Sequence, residues 1–207
     1  MKKIGIMGGT FNPIHYGHLF LAEQAYEQIG LNSILFMPSK NPPHKKGQEI
    51  ISSEHRLNMV RLAIMDNPHF EASTTELERE GMTFTADTLK AMTMENSETE
   101  LYFIIGGDSL LQITEWRDPQ TIFNLSTIVA SGRNHLPDNI LHQQVKKLKD
   151  TYGARIILLE MPTIEISSAD IRDRIVAGKS VRYYLPQPVL DYITEHGIFG
   201  CPKKADQ

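Results

Sequence analysis

The chain has one cysteine in 207 residues, Cys201, which excludes an internal disulfide and suits a reducing cytoplasm. It has no run approaching eighteen apolar residues, which excludes a helical membrane span, and no cationic-then-apolar leader. An excess of positive charge is also missing. Lys and Arg number 21 against 25 Asp and Glu, for a net charge of −4, and a general nucleic-acid binder is excluded on that balance. Several catalytic signatures are absent as well: no G-x-x-x-x-G-K-[ST] phosphate loop, no G-x-G-x-x-G dinucleotide fingerprint, no H-E-x-x-H zinc motif. No Ser-His-Asp or Cys-His arrangement offers a protein nucleophile. What remains is 41% hydrophobic and 22% charged, with no internal repeat, low-complexity tract or linker. Residues 1–200 read as one domain and 201–207 as a polar tail.

Apolar runs alternate with helical patterns, the signature of an α/β fold: a Rossmann-like, doubly wound, mostly parallel sheet with helices on both faces. Strands are predicted at Ile4–Met7, Ser33–Met37, near Phe70, Leu101–Ile105, Thr127–Ala130 and Arg155–Leu159. Helices are predicted over about 15–29, 52–66, 85–94, 140–152, 168–177 and 188–195. Leu21, Ala22, Ala25 and Ile29 form the inward stripe of the first, and Gly30, Gly178 and Gly197 act as stops. The stretch from Pro38 to Gly47 is too rich in proline for regular structure. In such sheets the ligand lies beyond the carboxyl ends of the strands. Gly8–His18, Ser39–Lys46 and Gly106–Asp108 follow three different strands and are therefore expected on one rim.

The segment Gly8-Gly9-Thr10-Phe11-Asn12-Pro13-Ile14-His15-Tyr16-Gly17-His18 carries the most chemistry. It reads as a buried strand, a glycine turn and a helix start. Glycines let backbone N–H groups approach an anion, and a helix start adds roughly half a positive charge. His15 and His18, three apart, put both rings on one face of the first turn. The H-x-x-H spacing also fits a metal pair, but no nearby carboxylate completes a zinc site, so no protein-held metal is expected. An acidic protein that handles phosphate must gather positive charge locally, which a screening length of ~8 Å allows.

These residues resemble the G-x-F-x-P-x-H-x-G-H signature of the HIGH-type nucleotidylyltransferases. The resemblance implies transfer of a nucleotide from a nucleoside triphosphate to a phosphate acceptor, with release of pyrophosphate. Ile166-Ser167-Ser168-Ala169-Asp170-Ile171-Arg172 is similar to the second signature of that superfamily. Ser167 or Ser168 can cap the helix, and Arg172, four beyond Ser168, can reach the same anion. Ile171 and Ile175 face the core.

The resemblance narrows to the bacterial nicotinate mononucleotide adenylyltransferase family and runs from residue 4 to about 193. Ser39-Lys40-Asn41-Pro42-Pro43-His44-Lys45 resembles its proline-rich acceptor loop. Gly81–Leu89 resembles its G-x-x-Y-T-x-D-T-L segment, and Gly106–Leu110 with Trp116-Arg117 its G-x-D-x-[LF] plus tryptophan element. Ser180–Pro186 resembles its late S-[IV]-R-Y-x-[VL]-P turn. Asn12, Phe84 and Ala169 stand where the family usually has Asp, Tyr and often Thr.

The family's activity implies AMP transfer from Mg-ATP to nicotinate mononucleotide in NAD biosynthesis, with Mg²⁺ accompanying ATP. His15, His18, Lys45 and Arg172 would be catalytic. Gly8, Gly9, Thr10, Phe11, Gly106, Asp108, Arg133, Ser167 and Ser168 would join them at ATP. Ser39, His44, Lys45, Thr85, Asp108, Trp116 and Arg117 would hold the acceptor. Trp116 would stack on the pyridine ring, and backbone N–H groups near Thr85 and Arg117 would hold its carboxylate. Lys45 and Lys46 fit a solvated loop as well as a phosphate contact, whereas Lys146, Lys147 and Lys149 read as a solvated helix face. The partners expected are the two nucleotides, with no nucleic acid and no membrane; a homodimer is compatible with the sequence. The rivals are a phosphopantetheine adenylyltransferase, a cytidylyltransferase, a non-catalytic nucleotide-binding module and an RNA-binding synthetase fragment.

Overall fold

A computed structural model describes residues 1–40, 50–131, 138–162 and 164–202. Six strands form one sheet: β1 (Lys2–Gly9), β2 (Ser33–Pro38), β3 (Phe70–Ala72), β4 (Thr99–Gly106), β5 (Ser126–Ser131) and β6 (Ile156–Leu159). Their order is β3-β2-β1-β4-β5-β6 and every pairing is parallel. Among the described residues the sheet is thus wholly parallel, where the sequence predicts a mostly parallel one. Parallel pairing needs crossovers, and helices supply them.

Alternation along the central strands sorts the core into two halves. Tyr102 and Ile104 of β4 join Met7, Ile34 and Phe36 on one face. Leu101, Phe103 and Ile105 join Ile4, Ile6 and Ile128 on the other. The first face is covered by α1 (Tyr16–Ile29), α2 (Ser53–Ile64), α8 (Ser168–Val176) and α9 (Gln187–His196). The second is covered by α4 (Thr85–Glu95), α6 (Pro119–Leu125) and α7 (Asp138–Tyr152). Two short helices, α3 (Thr75–Glu78) and α5 (Gly107–Gln112), lie at the carboxyl ends of β3 and β4. Burying side chains such as Ile171 and Leu89 completely contributes about 1.5–3 kcal/mol each.

The capping chemistry follows the sequence. Gly30 and Gly197 end α1 and α9 in the left-handed region, at φ 66° and 63°. Ser52 starts α2 by accepting the His55 N–H at 3.2 Å. Leu57, Val60 and Ile64 are buried as expected, and Leu148 is buried in α7 between the exposed Lys147 and Lys149.

Three local readings change. Gly8 and Gly9 are the last two residues of β1, paired with Met37 and Pro38, so the turn begins only at Thr10. Gly106-Gly107-Asp108 starts α5 and is not a loop. Gly107 is required there because a Cβ would come within 2.8 Å of the Ser131 carbonyl oxygen. Finally, Cys201 packs half-buried against the core, its thiol 3.7 Å from Thr194 Oγ1.

The strand order places a topological switch between β1 and β4, whose connections leave toward opposite edges of the sheet. A ligand crevice forms at such a point, beyond the carboxyl ends of the two strands. No helix among the described residues is long and apolar enough to cross a membrane.

Candidate active site

A cleft of about 580 Å³ opens at that switch point. It is large enough for a nucleotide-sized ligand. On its β1 side lie Gly8, Gly9, Thr10, Phe11, His15 and His18, with Ser167, Ser168 and Arg172 at the start of α8. On its β4 side lie Gly106, Asp108, Trp116 and Arg117, with Ser39 after β2 and Thr85 at the start of α4. Every described residue of the expected site thus lines one cavity. His44 and Lys45 of the proline-rich stretch, and Arg133 after β5, lie outside the described residues.

The two histidines are set by the entry into α1. His15 is its N-cap and His18 its third residue. The rings stack with centroids 3.7 Å apart and planes at 29°. The backbone N–H of His15 donates to His18 Nδ1 at 3.3 Å. Nδ1 of His18 is therefore an acceptor, and the neutral ring carries its proton on Nε2. That nitrogen has the proton that an anion can accept.

Two glycines make this arrangement fit. A Cβ on Gly17 would lie 3.0 Å from Nδ1 and 3.1 Å from Cε1 of His15, so glycine leaves room for that ring. A Cβ on Gly9 would lie 3.1 Å from the ring of Phe11. Phe11 itself is buried at φ 49°, a conformation bulky residues seldom adopt. Its ring meets His18 edge-on at 5.1 Å, so His18 packs against Phe11 as well as His15.

The second signature locks onto the first. Ser167, not Ser168, caps α8, accepting the Asp170 N–H at 3.0 Å. Ser168 Oγ instead donates to the Pro13 carbonyl at 2.8 Å. Arg172 donates from one guanidinium nitrogen to the Asn12 carbonyl, also at 2.8 Å. The start of α8 is thereby bolted to the loop that carries the histidines, and Arg172 also lines the cleft.

The opposite wall is built around the start of α4. Phe84 is the N-cap and Thr85 the first helical residue, so the Thr85 N–H has no intrahelical acceptor. Thr88 donates from its hydroxyl to Glu76 at 2.8 Å and accepts from Arg79 at 3.1 Å, holding α3 against this turn. Burial pushes the Glu76 carboxyl above its ordinary value, against the opposing pull of the Thr88 and Thr83 side chains and Arg79. Arg117 stacks on the Phe84 ring at 4.5 Å and approaches Asp87 at 3.7 Å. Trp116 is half-buried and meets Phe103 edge-on at 6.0 Å, so it is neither a core indole nor a fully exposed one. Ser39 Oγ is buried in this wall with no hydrogen-bond partner among the described residues. A bound ligand would satisfy it.

Arg56 is a buried cation behind the site that sequence reasoning misses. It is 1% exposed and donates to the carbonyls of Thr10, Lys40 and Ile51. Burial lowers its guanidinium pKa to about 10, so it stays charged at neutral pH. The signal was an arginine in the same helical phase as the buried Val60 and Ala63.

Comparison with known proteins agrees with this geometry. Residues 6–174 match the cytidylyltransferase-like family model. A probable nicotinate-nucleotide adenylyltransferase of Lachnoclostridium phytofermentans is 50% identical over 199 residues, covering 96% of this chain and 100% of the relative. One from Desulfitobacterium hafniense is 41% identical over 198 residues, covering 96% of each chain. The fold is also that of a Plasmodium falciparum nicotinic acid mononucleotide adenylyltransferase complexed with NaAD. Its TM-score is 0.80 at 20% identity, over 97% of this chain and 98% of that one. On sequence across nearly its whole length, the chain belongs to the nicotinate-nucleotide adenylyltransferases, within the cytidylyltransferase-like family.

Proposed function

We propose that this protein transfers the AMP group of Mg-ATP to nicotinate mononucleotide, releasing pyrophosphate and forming nicotinate adenine dinucleotide in NAD biosynthesis. The observation that carries the reading is the meeting of two half-sites in one cleft. One is a phosphate-binding wall of histidines, serines and arginine; the other is a wall of helix-start N–H groups beside a half-exposed tryptophan. The 50% identity to a relative of that name over 96% of this chain supports it.

The 5′-phosphate of the acceptor attacks the α-phosphorus of ATP in line, and pyrophosphate leaves. Mg²⁺, brought in by the nucleotide, would offset negative charge on the polyphosphate, and Asp108 on the rim would be the side chain placed to meet its water shell. The chain's task is to hold two polyanions in register and to neutralise the charge that develops between them. His18 donates from Nε2 to the triphosphate, His15 stacks behind it, and Arg172 and Ser168 complete that wall. Lys45 and Arg133 are assigned to the same polyphosphate, and Asp108 on the rim to a ribose or a metal-bound water.

On the acceptor side Trp116 gives the pyridine ring a flat face. N–H groups at Thr85 and Arg117 take the ring carboxylate, while Ser39, His44 and Lys45 take the rest of the nucleotide. An amide in place of the carboxylate would set an NH₂ against those donors, costing about 1–3 kcal/mol. The reading includes a cytoplasmic location, which the lone cysteine supports, and admits a homodimer. Its test is pyrophosphate release from Mg-ATP with nicotinate mononucleotide. Its absence, with Mg-ATP still bound, would turn the protein into a nucleotide-binding module.

A further inference from the structure

Arg56 on α2 stands outside the cleft, yet it grips both substrate walls from behind. Its Nη1 donates to the Thr10 carbonyl at 2.8 Å, in the turn between β1 and the histidines. Its Nη2 donates to the Lys40 carbonyl at 3.4 Å, on the segment that follows β2. Its Nε donates to the Ile51 carbonyl at 3.3 Å, which ties the fork to the start of its own helix. All three acceptors are backbone oxygens. Among the described residues no carboxylate pairs with this cation.

A buried arginine without a carboxylate is an expensive device for packing alone, since an apolar residue would fill the space without the desolvation cost. What the planar fork offers is fixed geometry: several donors at set angles that hold separate peptides in one relation. The chain of contacts continues beyond it. Lys40 Nζ donates to the Arg79 carbonyl at 2.9 Å, and Arg79 donates to Thr88 in the first turn of α4. A continuous hydrogen-bonded path thus runs from the turn beside the histidines, through Arg56 and Lys40, to the helix start facing the acceptor. A trans peptide points its C=O and N–H in opposite directions. Holding the Thr10 carbonyl therefore also turns the Phe11 N–H away from Arg56.

We infer that Arg56 is a positioning residue that fixes the ATP wall and the acceptor wall relative to each other, and so sets the in-line distance between the two reacting phosphates. This rests on the assignment of those walls to ATP and nicotinate mononucleotide. Each wall can bind its own substrate without the clasp, but the transition state needs both in register. Loss of the fork therefore acts more on turnover than on either binding step.

The experiment compares wild type with Arg56→Lys and Arg56→Met in steady-state kinetics, Mg-ATP titration and thermal unfolding. Lysine keeps the charge but lacks the fork. The expected result for Arg56→Lys is a folded protein with kcat lowered about tenfold or more, while the KM values change by no more than about threefold. Arg56→Met is expected to lose more turnover and some thermal stability. An Arg56→Ala protein is expected to regain part of its kcat when guanidinium is added at sub-denaturing concentration. Wild-type kcat in both the Lys and Met variants, with only the melting temperature lowered, would overturn the inference. If wild type binds Mg-ATP but does not use nicotinate mononucleotide, the functional reading fails by itself. The role of Arg56 is then read from kcat with the acceptor that wild type does use, and it fails if Arg56→Met keeps that kcat.

Discussion

The backbone N–H of His15 donates to Nδ1 of His18, and the two rings stack 3.7 Å apart at the start of α1. One hydrogen bond thus settles which nitrogen of the neutral His18 ring carries the proton. A donor already oriented before the substrate arrives loses little on reorganisation, which is how such groups lower a barrier.

Replacing His18 by alanine removes that donor and also the lateral contact with Phe11. The expected outcome is a fall of about a hundredfold or more in kcat, equivalent to about 3 kcal/mol, with Mg-ATP affinity changed far less. Parallel kinetics and equilibrium titration check it. Unchanged turnover would remove His18 from the reaction.

Gly17→Ala separates stability from activity. Alanine is the better helix former by about 1 kcal/mol, so the melting temperature should hold or rise. The added Cβ meets the His15 ring at 3.0 Å, and the ring must shift by a few tenths of an ångström. An expected loss of about tenfold in kcat follows from displaced catalytic geometry. A variant that is both more stable and fully active would show that the His15 position is not critical.

Trp116→Ala tests the acceptor wall. The KM for the pyridine nucleotide should rise about tenfold while that for ATP stays near its wild-type value, since only one ring loses its stacking face. Wild-type protein should also prefer the acid to the amide by about tenfold or more. Equal rates with the two acceptors would contradict the placing of a carboxylate at Thr85.

Glu76 gives a pH dependence with a defined sign. Burial raises its pKa from 4.5, so the folded chain holds this proton more tightly than the unfolded one. Its stabilising contribution is complete below about pH 4.5 and is lost as pH rises through the folded value. Glu76→Gln keeps an acceptor for the Thr88 hydroxyl and removes the buried charge. Stability at pH 7 should equal wild type or exceed it, with the difference closing toward pH 4. Denaturant unfolding at pH 4, 5 and 7 measures this, and a variant clearly weaker at pH 7 would contradict it.

Strands and long helices were legible because their signals are local: apolar alternation, serine caps and glycine stops such as Ser52, Gly30 and Gly197. The short helices were not. In α5 the N-cap and the first helical residue are both glycines, Gly106 and Gly107, which read as a turn, and only the fit of Gly107 against the Ser131 carbonyl places it. For α6 the cues were present, Asp118 as cap and Pro119 at the first position, but seven residues carry too little periodicity to stand out. The site was legible where a motif lies on one segment, as with His15 and His18. It was opaque where a residue acts on distant backbone. Nothing in the sequence near Arg56 points to the Thr10 carbonyl, 46 residues earlier, because that contact exists only once β1, β2 and α2 have packed.

The central claim is the pairing of Mg-ATP with an acidic pyridine mononucleotide in one cleft. The most direct measurement is pyrophosphate release from Mg-ATP with nicotinate mononucleotide, nicotinamide mononucleotide and phosphopantetheine side by side. The account predicts turnover chiefly with the first. Turnover only with another acceptor would keep the phosphate wall and discard the Thr85–Trp116 assignment, and silence with all three, with Mg-ATP still bound, would contradict the catalytic reading altogether.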